Sequence, residues 1–292
     1  MIESLEKLTT QELKDILKSH GKATSGNNTA MIKRIMNNKN HFFFGYFGNK
    51  RGEFEYIYEE FKKLEGIDTI YEPFCGSSSF SYILSTRHPK KYKYILNDNN
   101  KYLCELYNIV KGDKLEPFIK ECNELKRSID IGGKEKYNEI GKQDTVHAYL
   151  IMNKIHKIRQ GIFPDDYKTR FENINFSYLL DCPMTKFLLT EDVTITNNMV
   201  DKIDDVYNKE NIFTFLDPPY ISLDNDYYTD SNINIYEYLA YNDMNNFKCK
   251  MLMILNDNWI IKFIFKKYIT NEYKKLYQTS KKTINHVVIK NF

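Results

Sequence analysis

The chain predicts a doubly wound α/β fold with a mostly parallel sheet, a helical insert and a small N-terminal helical hairpin. Three observations carry this. Apolar runs at Ile70-Tyr71, Tyr92 to Leu96 and Ile212 to Leu216 have the length and bounding residues of buried strands. The first is followed by a small-residue turn, Gly76-Ser77-Ser78-Ser79, and then by helix through Tyr82-Ile83-Leu84; this strand–turn–helix order marks nucleotide-binding α/β units. Beyond Lys111 the pattern turns polar and helical, with Leu115, Phe118, Ile119, Cys122 and Leu125 on one face.

The run Ile212 to Leu216 ends in Asp217-Pro218-Pro219-Tyr220, the most informative tetrapeptide of the chain. Its groups suit a planar exocyclic amine. The Asp217 carboxylate accepts one hydrogen, the Pro218 carbonyl accepts another, and Tyr220 offers a ring face for a base to stack on. With both hydrogens held, the nitrogen lone pair faces an electrophile. A strand ending at a Pro-Pro turn with a packed Tyr is the plainer reading of the same residues, and context decides between them.

That context lies upstream. Glu72-Pro73-Phe74-Cys75-Gly76-Ser77-Ser78 forms the turn after the first strand, where small residues let a ligand approach the backbone. The second strand ends in Asn97-Asp98-Asn99-Asn100, and an acidic residue about 20 positions after a glycine turn is where a ribose hydroxyl pair is gripped. Each feature alone also fits a helix start or an exposed cap. In order before Asp217, they favour a nucleoside cofactor.

These residues together resemble the Dam-type (class alpha) N6-adenine DNA methyltransferases. Gly45-Tyr46-Phe47-Gly48-Asn49-Lys50-Arg51 matches the family's opening element, Glu72 to Gly76 its glycine turn, and Asn97-Asp98 its second strand end. Leu252 to Asn258 and the terminal Asn285 to Phe292 resemble its later strand and closing hairpin strand. The likeness spans roughly residues 41–292 apart from a variable middle. It implies a Rossmann-like methyltransferase sheet and S-adenosyl-L-methionine as cofactor, without a metal. The implied cofactor residues are Tyr46, Gly48, Lys50, Glu72, Phe74, Gly76, Ser77, Ser78, Asp98 and Asn99, with Asn198 and Met199 by position; Asp217 to Tyr220 are the catalytic set. Ser78 departs from the family's second Gly, and a modest cost to cofactor affinity is the most expected of it. The implied reaction is methyl transfer to the amine of a flipped adenine in DNA. An adenine methyltransferase acting on RNA and a catalytically silent DNA-binding protein are the alternatives.

Residues 1–40 read as a separate module. Thr9 or Thr10 caps a helix with Glu12 completing the pattern, Leu13, Ile16 and Leu17 form its apolar face, and Gly21 ends it. A second amphipathic helix carries Ala30, Met31, Ile32 and Ile35, with Lys33 and Arg34 outward. The pair resembles a SAP domain, although Asn28 stands for a usual Lys and Lys22-Ala23 for a usual Leu. The resemblance implies DNA-backbone contact through Lys22, Lys33 and Arg34; a plain helical cap is the alternative. The catalytic domain is expected over 41–110 and 190–292, with a recognition insert over 111–189. Within that insert Lys154, Lys157, Arg159, Phe163, Lys168 and Arg170 interleave basic and aromatic groups as a DNA-reading loop needs, while His156 reads as a phosphate or surface histidine. The lysines at 262, 266, 267, 274, 275, 281 and 282 read either as a protected sheet edge or as a backbone-binding stripe.

Composition agrees with an enzyme of one or two domains. The 292 residues carry 42 Lys and Arg against 39 Asp and Glu, a net charge of only +3, so double-stranded DNA has to be met by local patches. Five scattered cysteines without C-x-x-C spacing point to a reducing compartment and no zinc. No run approaches the ~20 apolar residues of a membrane span, so a soluble intracellular protein is expected. A cognate restriction endonuclease is a conceivable partner, and either a monomer or a dimer is compatible with the chain.

Overall fold

A computed structural model describes residues 8–19, 24–31, 42–46, 48–155, 174–199, 204–219, 239, 243–277 and 282–292. Helix α1 (Thr10–Ser19) opens with the expected capping box: the Glu12 N–H donates to the Thr9 hydroxyl at 3.3 Å, and the Thr9 N–H donates to the Glu12 carboxylate at 2.7 Å. Asn27 caps the helical residues 28–31 by accepting from the Ala30 N–H at 2.9 Å. Leu13 and Met31 are buried. The basic residues Lys22, Lys33 and Arg34 lie outside the described residues.

After α2 (Phe54–Phe61) the chain alternates strand and helix: β1 (Thr69–Glu72), α3 (Ser79–Arg87), β2 (Lys93–Asn97) and α4 (Lys101–Lys111). A helical stretch follows, made of α5 (Leu115–Gly141), α6 (Val146–Ile155), α7 (Tyr178–Asp181) and α8 (Pro183–Thr190). It buries the expected face of Leu115, Phe118, Ile119 and Cys122. Helix α5 breaks at Gly133, whose φ of 58° and ψ of −142° are open to glycine at little cost. The chain then returns through β3 (Asp192–Thr196), β4 (Ile212–Leu216), β5 (Lys250–Asn256), α9 (Trp259–Ile264), β6 (Ile269–Tyr277) and β7 (Lys282–Lys290). Pro183 starts α8, which carries Phe187, and β3 follows directly at Asp192.

The seven strands run in the order β3-β2-β1-β4-β5-β7-β6. The first five pair parallel, and β7 pairs antiparallel with both β5 and β6. This is the expected doubly wound, Rossmann-like sheet closed by a C-terminal hairpin. Period-two alternation assigns each face of the central strands. Phe213 and Phe215 join Phe61 and Phe80 in one core, while Ile212 and Leu216 join Met251 and Met253 in the other. Burying an aromatic of this kind contributes about 1.5–3 kcal/mol, so β4 is held rigidly from both sides. That rigidity fixes the position of whatever follows Leu216.

Candidate active site at the carboxyl edge of the sheet

Strand order reverses where β1 meets both β2 and β4, and such switch points open a crevice at the carboxyl ends of the strands. Three acidic residues lie there: Glu72 ends β1, Asp98 follows β2 and Asp217 follows β4. Neighbouring strands stand about 4.8 Å apart, so residues separated by up to 145 positions become neighbours.

The turn after β1 is built by hydrogen bonds to its own surroundings. The Cys75 N–H donates to the Asn97 carbonyl at 2.8 Å and the Gly76 N–H to Asp98 Oδ2 at 3.0 Å. Asp98 Oδ1 accepts from the Asn100 N–H at 3.0 Å, and burial pushes the Asp98 carboxyl up despite both bonds. Gly76 has φ 46°, and a Cβ there would lie 2.8 Å from Tyr46 Cε1. Any side chain would therefore strain the backbone and displace the Tyr46 ring. Ser78 also stands in the left-handed region, with φ 44°, at a cost near 1 kcal/mol relative to glycine. Its hydroxyl lies 3.3 Å from the Tyr107 hydroxyl, which donates to the Gly76 carbonyl at 2.6 Å. So the turn forms with serine where a second glycine was expected. Ser77 is buried, Phe74 packs partly against the second core, and Asn99 is exposed.

Lys50 comes from the loop before α2 and is only 3% exposed. Its ammonium pairs with Asp217 Oδ1 and donates to the Gly48 carbonyl at 3.2 Å, while its own N–H donates to the Ser79 hydroxyl at 3.0 Å. Among the described residues the contact of Asp217 is made through Oδ1. Burial raises the Asp217 carboxyl above its ordinary value, and the Lys50 charge opposes this. Glu72 is more deeply buried: its carboxyl is pushed up to about 7, although Oε1 accepts from the Ser81 N–H at 3.0 Å. Pro218 is buried and Pro219 partly so. Tyr220 lies outside the described residues.

Asn97, fully buried, ties three strand ends together and was not singled out among the candidate residues. Its side-chain N–H groups reach the Pro73 and Asn198 carbonyls, both at 3.0 Å, and its oxygen accepts from the Thr196 hydroxyl and the Asn198 N–H. Through it Asn198, and Met199 beside it, reach the same edge of the sheet. Tyr107 and Glu53 were missed as well, since nothing in a sequence marks a buried polar residue.

The expected DNA contacts fare unevenly. Lys157, Arg159, Phe163, Lys168 and Arg170, with His156, lie outside the described residues. Lys154 is partly buried and has protein partners. Its ammonium sits 3.7 Å above the Tyr178 ring and donates to the Phe43 carbonyl at 3.3 Å. Burial lowers its pKa to about 8. It ties α6 to the segment before the sheet. The C-terminal lysines are interrupted too: Lys262 pairs with Asp257 and Glu272, Lys267 with Asp243, and Lys275 with Glu53. Lys281 lies outside the described residues. All five cysteines are free and buried, no group of metal-ligating side chains occurs among the described residues, and no described helix is long and apolar enough to cross a membrane.

Strand order and the glycine turn define a Rossmann-like sheet with a crevice at its carboxyl edge. Residues 46–182 match the D12 class N6 adenine-specific DNA methyltransferases, and residues 4–38 match the SAP domain. The type II methyltransferase M.CviBI of Paramecium bursaria Chlorella virus NC1A is 25% identical over 258 residues, 80% of this chain and 95% of that protein. A SAM-dependent methyltransferase from Aquifex aeolicus aligns at 11% identity and TM-score 0.35, covering 98% of this chain and all of that one. The N-terminal domain of human METTL16 in complex with SAH aligns at 8% identity and TM-score 0.32, covering 83% of this chain and 70% of that one. Structural likeness at this level carries no weight for the fold, which rests on the strand order above.

Proposed function

We propose that this protein transfers a methyl group from S-adenosylmethionine to the exocyclic amine of adenine in DNA. The observation that carries the reading is Asp217 at the end of a rigid buried strand, at the carboxyl edge of the sheet, with one oxygen fixed by Lys50. The residues present fit the cofactor. The tight Gly76 turn sets the end of β1 beside Asp98, whose carboxylate has lone pairs for a ribose diol, and Glu72 offers a buried carboxyl to a cationic group. S-adenosylmethionine, when bound, supplies a methyl already activated by a sulfonium, so the protein mainly orients the acceptor.

Asp217 Oδ2 accepts one amine hydrogen and the Pro218 carbonyl a second, which turns the nitrogen lone pair toward the methyl. As positive charge develops on nitrogen, the Asp217 carboxylate stabilises it. The adenine leaves the duplex at a cost of a few kcal/mol and stacks on Tyr220. Residues 111–189, with Arg159 to Arg170, read the bases, and residues 1–40 grip the backbone. Tritium-methyl transfer to matched duplex DNA, single-stranded DNA and RNA tests the substrate: incorporation confined to RNA would overturn the DNA assignment.

Two expected results follow from this division of labour. Asp98→Ala removes the acceptor of the Gly76 and Asn100 N–H groups as well as the ribose contact, each charge-assisted bond contributing about 1.5–3 kcal/mol. Calorimetry is expected to show S-adenosylmethionine binding weakened at least ~10-fold; unchanged affinity would move the ribose site elsewhere. Deletion of residues 1–40 is expected to weaken binding to all DNA alike and to flatten the salt dependence of affinity. The methylated sequence and the turnover at saturating DNA are expected to stay the same. A changed methylation motif would mean that the N-terminal hairpin reads bases.

A further inference from the structure

Behind the candidate site lies a buried cluster of opposite charges. Glu53 closes the short turn Arg51–Glu53 and is 1% exposed. Its carboxylate is met from the C-terminal hairpin: the Tyr273 hydroxyl donates to Oε1 at 2.6 Å, Lys275 pairs with Oε2, and His286 Nδ1 lies 3.6 Å from Oε1. Tyr273 and His286 face each other across the β6–β7 ladder with rings stacked at 5.3 Å, and Tyr56 stacks on Tyr273 at 4.6 Å. Burial lowers the His286 pKa to about 4, so its ring is neutral.

On its other side Glu53 meets the lysine that holds the catalytic carboxylate. Its N–H donates to the Lys50 carbonyl at 3.0 Å. Burial favours the neutral acid at Glu53, yet the charges of Lys50 and Lys275 hold it below the usual carboxylate range. The four charged groups Lys275, Glu53, Lys50 and Asp217 therefore alternate in sign and balance to zero.

We propose that Glu53 is a positioning residue for the reaction, the buried counter-charge that lets Lys50 fix one oxygen of Asp217 and leave the other for the substrate amine. The inference rests on the methyl-transfer reading above. Removal of the Glu53 charge sets two ammonium groups, Lys50 buried and Lys275 partly so, against the Asp217 carboxylate. In a low-dielectric interior that surplus bears on Asp217 and opposes the positive charge developing on the acceptor nitrogen. A role as a mere staple between hairpin and turn has no such consequence, and the two separate when the surplus is cancelled.

The test compares wild type, Glu53→Gln and the double variant Glu53→Gln/Lys275→Gln, at saturating S-adenosylmethionine and duplex DNA. Glu53→Gln is expected to lose about 30-fold or more in kcat while KM for DNA stays within about 3-fold. The neutral double variant is expected to recover at least about 5-fold over the single one. A double variant no better than Glu53→Gln, or a Glu53→Gln enzyme as fast as wild type, overturns the proposal. Should Glu53→Gln fail to fold, Tyr273→Phe keeps every charge and removes one hydrogen bond to Glu53. With the charges intact its kcat is expected within about 3-fold of wild type; a larger loss, which a mere staple between hairpin and turn would give, overturns the proposal. A wild-type protein inactive on every nucleic acid would instead remove the methyl-transfer reading on which this rests.

Discussion

Asp217→Asn is expected to lower kcat at least ~100-fold, the scale on which losing one preorganised charge-stabilising contact acts. The reason is specific to the Lys50 pair. The Lys50 ammonium only donates, so an asparagine must turn its oxygen toward Lys50. Its NH2 group then faces the adenine amine, donor against donor, and the negative charge is gone. Asparagine is the cleaner substitution. Asp217→Ala would also take the carboxylate from the Lys50 ammonium, which is 3% exposed, and so mix a stability loss with the catalytic one. Binding of S-adenosylmethionine is expected to stay within about 3-fold in the Asn variant, since the lost contact acts mainly in the transition state. More than about a tenth of wild-type turnover, a loss under ~1.4 kcal/mol, would contradict the catalytic assignment.

Lys50→Met is expected to change the pH dependence of the reaction. Burial already raises the Asp217 carboxyl, and Lys50 is the first influence opposing it. Without that ammonium the carboxyl rises further. Activity needs the ionised form, which is present above the folded-state pKa and lost as pH falls through it. The acid limb of the kcat profile is therefore expected to move to higher pH by about a unit or more, each unit corresponding to ~1.36 kcal/mol. Stability has its own sign. A carboxyl raised in the folded state contributes stability at low pH and loses it as pH rises through the folded value. Lys50→Met should thus be least stable, relative to wild type, at the alkaline end. An acid limb at the wild-type position would mean that Lys50 does not govern Asp217.

The parts of the fold legible in the sequence are those where burial leaves a periodic trace. Ile212 to Leu216 is buried on both faces and so reads as an unbroken apolar run, while Leu115, Phe118, Ile119 and Cys122 recur at helical spacing because one face alone is covered. Phe187-Leu188-Leu189 was harder: a short apolar run has no period, and only Pro183 marks it as helix. The antiparallel β7 between β5 and β6 follows from long-range pairing that leaves no local mark. Within the site, Asp217, Asp98 and Gly76 stood out through their order after strands. Glu53, Asn97 and Tyr107 did not, because a polar residue looks the same in sequence whether it is solvated or fully paired inside. Lys154 shows how little a charge says of its partners: it suggested phosphate, and the fold also gives it the Phe43 carbonyl 111 positions away.

The most direct measurement of the central claim follows the methyl group itself. Unmethylated duplex DNA is incubated with the wild-type protein and S-adenosylmethionine bearing an isotopically labelled methyl, then digested to nucleosides and analysed by mass spectrometry. The account predicts the label on N6 of deoxyadenosine, with no label above background when Asp217→Asn replaces wild type. Label on the amine of cytosine, label unaffected by Asp217→Asn, or no label in DNA would contradict it.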